Sequence, residues 1–246
     1  MEIKIDDAKY WKDCINAIHS ILDEGEFNIS ESGISLKSMD NTGISMVSFF
    51  IPNKAFSKYD VEKPMSIGLN IDNLSKVLNN KQDEQLIIKD NNNKISFELI
   101  SQNAKRKYKF PIIDVKKNSN KEPNVNFETH IEVKSDLLKT ILKDANFISA
   151  ETISFNIDKN EFKIMANTGL GELEEVIMDN ADFKLQSDKA TSASFNLEYL
   201  MKIVSASPPD SDIKLSLKTN EPIKLDYAIG DAKFIYYLAP YISSED

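Results

Sequence analysis

Few residues in this chain are of a type that does covalent chemistry, and their spacing limits what each can contribute. Cys14 is the only thiol, and it lies beside the apolar stripe of Trp11, Ile15, Ile18 and Leu22, where a packed cysteine is expected rather than a nucleophile. His19 and His130 have no neighbour at the spacing of metal ligands or of a nucleophile and its base, so both read as surface histidines. Gly169-Leu170-Gly171 is the one close pair of glycines. It leads into Glu172-Leu173-Glu174-Glu175-Val176-Ile177-Met178, which alternates like a strand and puts carboxylates where a phosphate would need helix amides. With only 7 glycines in the chain, a phosphate-cradling loop is not expected. Carboxylates are plentiful but scattered through turns, so no acid–base pair stands out. No catalytic residue, metal site or cofactor is therefore assigned. A hydrolase or ligand-binding protein on a duplicated α+β scaffold is the distant alternative.

The elements that carry these residues are written twice. Gly68-Leu69-Asn70-Ile71-Asp72-Asn73-Leu74-Ser75-Lys76-Val77 returns 126 residues later as Ser194-Phe195-Asn196-Leu197-Glu198-Tyr199-Leu200-Met201-Lys202-Ile203. Phe27-Asn28-Ile29 reappears as Phe155-Asn156-Ile157, and Lys107 to Ile112 matches the apolar rhythm of Lys233 to Leu238. Helical spacing covers four segments at matching places in the halves: Tyr10 to Leu22, Ile71 to Asn79, Ser135 to Ala145 and Leu197 to Ala206. Asp72 and Ser135 are the expected starts of the second and third. Short alternating strands fill the rest, among them Ile34 to Met39, Ile44 to Phe49, Leu86 to Lys89 and Lys94 to Leu99. The expectation is an α+β protein of two similar domains, 1–114 and 127–246, each a duplicated unit of one helix and several antiparallel strands. The polar stretch from Asp114 to Asn124 reads as an exposed connector, whose bounds are set at 115–126.

A length of 246 residues suits two domains, and a net charge of -9 with 28% charged residues suits a soluble protein. The longest apolar runs, such as Tyr236 to Pro240, fall far short of the ~20 residues that span a bilayer. No membrane association is expected. Met1 to Asp7 carries acids where a secretory signal needs a basic segment and an apolar core, and a single cysteine forms no internal disulfide, so an intracellular location is expected.

Three motifs in order, Ser32-Gly33-Ile34-Ser35-Leu36-Lys37-Ser38-Met39-Asp40, Gly68-Leu69-Asn70-Ile71 with Leu74-Ser75-Lys76-Val77-Leu78, and Tyr236-Tyr237-Leu238-Ala239-Pro240-Tyr241-Ile242, resemble the proliferating cell nuclear antigen family of archaea and eukaryotes. The resemblance spans essentially the whole chain. It implies the DNA clamp fold, in which helices line a ring and sheets lie outside, and it implies no active site. The implied function is that of a DNA sliding clamp, a processivity factor whose ring encircles duplex DNA and recruits replication and repair enzymes. Implied partners are double-stranded DNA read without sequence specificity, a DNA polymerase, an ATP-dependent clamp loader and other enzymes bearing short docking peptides. A homotrimer is expected, with a subunit of a heterotrimeric replicative or checkpoint clamp as the alternative. The compartment would be the cytoplasm with its nucleoid in an archaeon, or the nucleus in a eukaryote.

Residue by residue, the resemblance gives three sites. Lys9, Lys12, Lys76, Lys81, Lys134, Lys139 and Lys143 lie on or beside the expected helices and would face DNA phosphates, giving a negative protein a positive lumen. Asn79, Asn80 and Ser205 stand where relatives often carry a base, which thins that lining. Arg106 is the one arginine among 30 basic residues, consistent with holding phosphates rather than reading guanine. Ring closure would pair the basic strand Lys105, Arg106, Lys107, Tyr108, Lys109 with the acidic strand bearing Glu172, Glu174, Glu175 and Ile177. A docking pocket for partner peptides would take in Met39, Ile44, Met46, Pro222, Tyr237, Leu238, Ala239, Pro240 and Ile242. Asn120, Lys121 and Glu122 put polar groups in the connector where relatives offer aliphatic ones.

Overall fold

Alternating burial, with one face of each strand apolar and one stripe of each helix apolar, builds layered sheets under four helices. The structure is a computed structural model that describes all residues except 79–83, 92, 116–120, 159–160, 179–181, 188 and 243–246. The chain separates into two compact units. One comprises Met1–Asn41, Val47–Asn120 and Ala228–Phe234; the other comprises Thr42–Met46, Lys121–Tyr227 and Ile235–Asp246.

The elements of the N-terminal half are β1 (Glu2–Ile5), α1 (Ala8–His19), β2 (Glu24–Ser30), β3 (Gly33–Met39), β4 (Ser45–Pro52), β5 (Lys58–Asp60), β6 (Met65–Asn70), α2 (Ile71–Val77), β7 (Gln85–Asn91), β8 (Lys94–Ile100) and β9 (Lys105–Pro111). Those of the C-terminal half are β10 (Thr129–Lys134), α3 (Ser135–Phe147), β11 (Thr152–Asp158), β12 (Glu161–Thr168), β13 (Gly171–Met178), β14 (Phe183–Ser187), β15 (Thr191–Asn196), α4 (Leu197–Ser205), β16 (Asp212–Leu217), β17 (Ile223–Ile229) and β18 (Ala232–Leu238). Pairing order repeats with the sequence. The first half gives β5-β1-β7-β8-β9 and β6-β2-β3-β4, and the second gives β14-β10-β16-β17-β18 and β15-β11-β12-β13. Element for element, β9 corresponds to β18 and β4 to β13.

Each unit has its own core. Trp11 of α1 packs on Phe27 and Phe56 at ring distances of 6.5 and 6.4 Å. In the other unit Phe155, Phe162, Phe183 and Phe195 interlock, with Phe162 stacked on Phe183 at 5.6 Å. Truncation of any one of these phenylalanines to alanine would cost roughly 3–5 kcal/mol. Tyr227 and Tyr236 stack at 5.6 Å, and the Tyr227 hydroxyl donates to the Ile203 carbonyl at 3.1 Å, so a buried polar group is satisfied.

The helix starts differ from the sequence expectation. Asn70, not Asp72, caps α2, its side chain accepting from Asn73 N at 2.8 Å, and Asn196 caps α4 in the same way through Tyr199 N at 3.1 Å. Asp72 already lies in the first turn, where its carboxylate instead meets Lys76. Ser135 opens α3 as its first residue but does not cap it, because its hydroxyl is buried against Ser207 Oγ at 2.7 Å. The Asn shared by the two copies of the repeat is thus the capping residue that the pattern held.

Candidate nucleic-acid interface and contact edges

The helices pack in pairs, α1 with α2 and α3 with α4. Their buried stripes include Trp11, Ile15 and Ile18 in α1 and Leu138, Ile141 and Leu142 in α3, which leaves the polar face outward. Lys9 and Lys76 are 66% exposed, and Lys143 is exposed, whereas Lys12 and Lys139 are half-buried. Lys139 Nζ donates to the Ser207 carbonyl at 2.7 Å, which fixes the side chain. Lys134, at the entrance to α3, donates to Asp212 at 2.6 Å, and that partner raises its pKa. Lys81 lies outside the described residues.

The helices do not carry lysines alone. Lys9 pairs with Asp13, Lys76 with Asp72 at 2.6 Å, and Lys202 with Glu198 at 2.6 Å, all across one helical turn. The lysine partner holds the carboxyls of Asp72 and Glu198 below their ordinary range. Asp136 and Asp144 share α3 with Lys139 and Lys143. Charge is therefore sorted less cleanly than the sequence reading expects: two lysines stand against one aspartate in α1, and the other three helices balance one for one. Lys202, which the repeat aligns with Lys76, stands on α4 outside the expected set.

The two proposed contact strands both lie at sheet edges, β9 at the end of its five-stranded sheet and β13 at the end of its four-stranded one. In β9 no residue is fully buried, as an edge requires. Much of its charge is already engaged. Lys105 and Lys107 close on Glu98 of β8 at 2.8 and 2.5 Å, and Arg106 forks onto Glu84 at 2.6 and 2.7 Å. The two lysines lower the Glu98 carboxyl to about 2. Lys109 is exposed. On β13, Glu174 meets Lys163 at 3.1 Å, and Glu175 faces the α3 side, where burial first and Asp144 second raise its pKa. Ile177 is buried at 7% exposure. Phe147 at the end of α3 is 89% exposed and Leu170 in the turn before β13 is 78% exposed, and neither belongs to any expected site.

Among the docking residues, Ile44 is 39% and Ile242 66% exposed, and Tyr241 beside them is 53% exposed. The Ala239 amide donates to the Ile44 carbonyl at 2.9 Å, which brings the start of β4 against the chain after β18. Met39, Pro222, Ala239 and Pro240 are half-buried. Met46 and Leu238 are core residues, 1% and 0% exposed, so neither offers a surface to a peptide; alternation along β18 turns Leu238 inward with Phe234 and Tyr236, whereas Met46 is buried on the face of β4 opposite Val47 and Phe49. Tyr237 is also largely buried, and its hydroxyl donates to Glu122 of the connector at 3.0 Å. Burial, reinforced by the Glu122 carboxylate, raises its pKa.

Of the remaining candidates, His130 Nδ1 sits 3.1 Å from Ser216 Oγ, and His19 is half-buried with Nε2 3.3 Å from Asp72 Oδ1, so His19 is not the surface histidine expected. Among the described residues no three His, Cys, Asp or Glu stand together to hold a metal ion, and no helix is long and apolar enough to cross a membrane.

Comparison with known proteins places the whole chain. The family models for the N-terminal and C-terminal domains of proliferating cell nuclear antigen match residues 1–121 and 121–242. A DNA polymerase sliding clamp of Thermococcus gammatolerans is 30% identical, with 98% of each chain covered. One of Thermofilum pendens is 31% identical, covering 95% of this chain and 96% of that one. The crystal structure of proliferating cell nuclear antigen from Thermococcus kodakaraensis superposes with a TM-score of 0.91 at 21% identity, covering 98% of this chain and 99% of that one. That from Entamoeba histolytica superposes at 0.89 with 25% identity, covering 98% of both. Two family models end to end, a relative at 31% identity and a twice-written strand order agree: this chain belongs to the proliferating cell nuclear antigen family.

Proposed function

We propose that the protein is a DNA sliding clamp that encircles duplex DNA and tethers a DNA polymerase to it. The observation that carries this reading is the pair of open edges on one duplicated chain, basic β9 and acidic β13, which suits head-to-tail closure of identical copies into a ring. Three copies, each of two clamp domains at 1–114 and 127–246 joined by a connector at 115–126, make that ring. The polar faces of the four helices turn to the DNA, with Lys9, Lys12, Lys76, Lys134, Lys139, Lys143 and, by the repeat, Lys202 meeting phosphates. Phosphate contacts hold a duplex without fixing a register, which is what sliding requires.

An ATP-dependent loader opens the ring. Polymerase and other replication or repair enzymes dock short peptides on the exposed apolar patch of Ile44, Pro240 and Ile242, beside Glu122. The protein works where the chromosome is, in the nucleoid of an archaeon or the nucleus of a eukaryote. Native mass gives the first test, since a trimer weighs about three times the 27.9 kDa chain. The decisive one is stimulation of a polymerase on primed circular DNA, with the clamp released when the circle is cut. A protein that stays on circles and linear DNA alike overturns the proposal.

A further inference from the structure

The buried stripe of α1 at Trp11, Cys14, Ile15 and Ile18 matches that of α3 at Leu138, Ile141, Leu142 and Ala145, each 127 residues further on. The same offset aligns Lys12 with Lys139, and it sets Asn16 where the second copy has Lys143. Lys9, Lys12, Asn16 and His19 follow one another at helical spacing, so His19 lies on the same polar face one turn beyond the missing lysine. Its surroundings are unlike those of Lys9 or Lys12. Nε2 of His19 is buried and stands 3.3 Å from Asp72 Oδ1 on α2, out of line for a hydrogen bond, while Asp72 Oδ2 takes Lys76 Nζ at 2.6 Å. One carboxylate thus stands between two basic groups from two helices. Asp23 and Glu24 are the other charged groups at this start of α2. The Asp23 carbonyl accepts from the amides of Ile71 and Asp72, and Glu24 Oε1 from Asn70 Nδ2 at 3.4 Å.

We infer, on the basis of the DNA-facing helices proposed above, that His19 is a positioning residue for duplex binding: as imidazolium it takes over the Asp72 carboxylate, and the Lys76 ammonium so released meets a phosphate. Because Nε2 is buried against Asp72, the ring acts through that carboxylate and not by touching DNA. In its neutral form it leaves Asp72 to Lys76, and the ammonium stays occupied. Histidine is the side chain whose charge ordinarily changes between about pH 5 and 8, so the hold on DNA is coupled to a proton at each copy that meets the duplex. The sign follows from mass action: binding takes up a proton, so affinity rises as pH falls.

Fluorescence anisotropy of a labelled duplex at fixed low salt, read from about pH 8 to about pH 6, measures the coupling. The wild-type protein should tighten by roughly threefold or more over that range. His19→Gln should keep the weaker binding of the basic end throughout, and Asp72→Asn, which leaves Lys76 without its carboxylate at every pH, should bind at least as tightly as the wild type does at the acid end, with no pH dependence. His130→Gln should follow the wild type. Imidazole proton resonances give an independent reading, since the chain has 2 histidines and each variant assigns one of them. Added duplex should move the titration midpoint of His19 upward and leave that of His130 in place. A His19→Gln profile parallel to the wild type, or a His19 midpoint that duplex does not move, overturns the inference and leaves the DNA-facing helices standing. A wild-type protein that binds no duplex anywhere in the range overturns both.

Discussion

Lys76 Nζ lies 2.6 Å from Asp72 Oδ2 one turn away on α2, and the duplicated helix α4 repeats the arrangement with Lys202 and Glu198, also at 2.6 Å. A lysine so occupied must exchange a carboxylate for a phosphate before it helps to hold DNA. Removing the two carboxylates with Asp72→Asn and Glu198→Gln should therefore tighten duplex binding at low salt and steepen its salt dependence by up to ~2 in the log–log slope for each copy that meets the duplex. Fluorescence anisotropy over a salt series reads both quantities, and an unchanged slope would mean that these faces do not meet DNA.

Lys139 and Lys143 give the opposite test. Lys139→Ala with Lys143→Ala should weaken binding uniformly across sequences and lower the same slope by about 2 for each copy that meets the duplex, because each neutralised phosphate contributes about 0.9. The same loss at one sequence and not at another would contradict backbone-only contact.

Glu98 predicts a defined acid sensitivity. Lys105 and Lys107 lower its carboxyl from 4.5 to about 2 in the folded chain. A depressed folded value contributes stability that is fully present above the unfolded value and lost as pH falls through the folded one. That contribution should fade between about 4.5 and 2, and Glu98→Gln should flatten the stability profile across that interval in chemical denaturation. A variant with the wild-type profile would show that other carboxylates govern acid unfolding.

Arg106 forks onto Glu84, which is 3% exposed. Truncation by Glu84→Ala strands the guanidinium and should cost ~1–3 kcal/mol, seen as a lower unfolding midpoint, while Arg106→Ala should cost a similar amount by leaving the carboxylate buried. If neither variant shifts the midpoint, the pair is marginal to the fold.

Gly68 sits where a Cβ would come within 2.1 Å of the Ile113 carbonyl, and its own carbonyl accepts from Ile113 N at 3.0 Å. Gly68→Ala should push the chain after β9 away and lower stability more than Gly169→Ala, whose surroundings are open. Equal melting temperatures for the two variants would count against this packing.

The duplication made most of the fold legible, because strand alternation and helix spacing are local and the second copy checked the first. Local capping was harder: Asp72 and Asn70 are both capping types, and only backbone geometry distinguishes the residue before the helix from the one inside it. The lysines of the contact site were readable as charge. Their partners were not, since Glu98 and Glu84 approach β9 through sheet pairing and packing that no short window of sequence displays. Pocket residues divided for a similar reason. Met46 and Ile44 stand two apart, a spacing that pleating would put on one face, yet Met46 lies within β4 and is buried while Ile44 precedes the strand and stays at the surface.

Cys14 lies wholly inside the first core, and burial raises its thiol far above the ordinary range. A fluorophore or cross-linker added to the native protein should thus find almost no thiolate to attack. Any cysteine introduced at a surface strand becomes the sole labelling site, so opening and closing of the proposed ring can be followed by dye pairs without first editing the wild-type core.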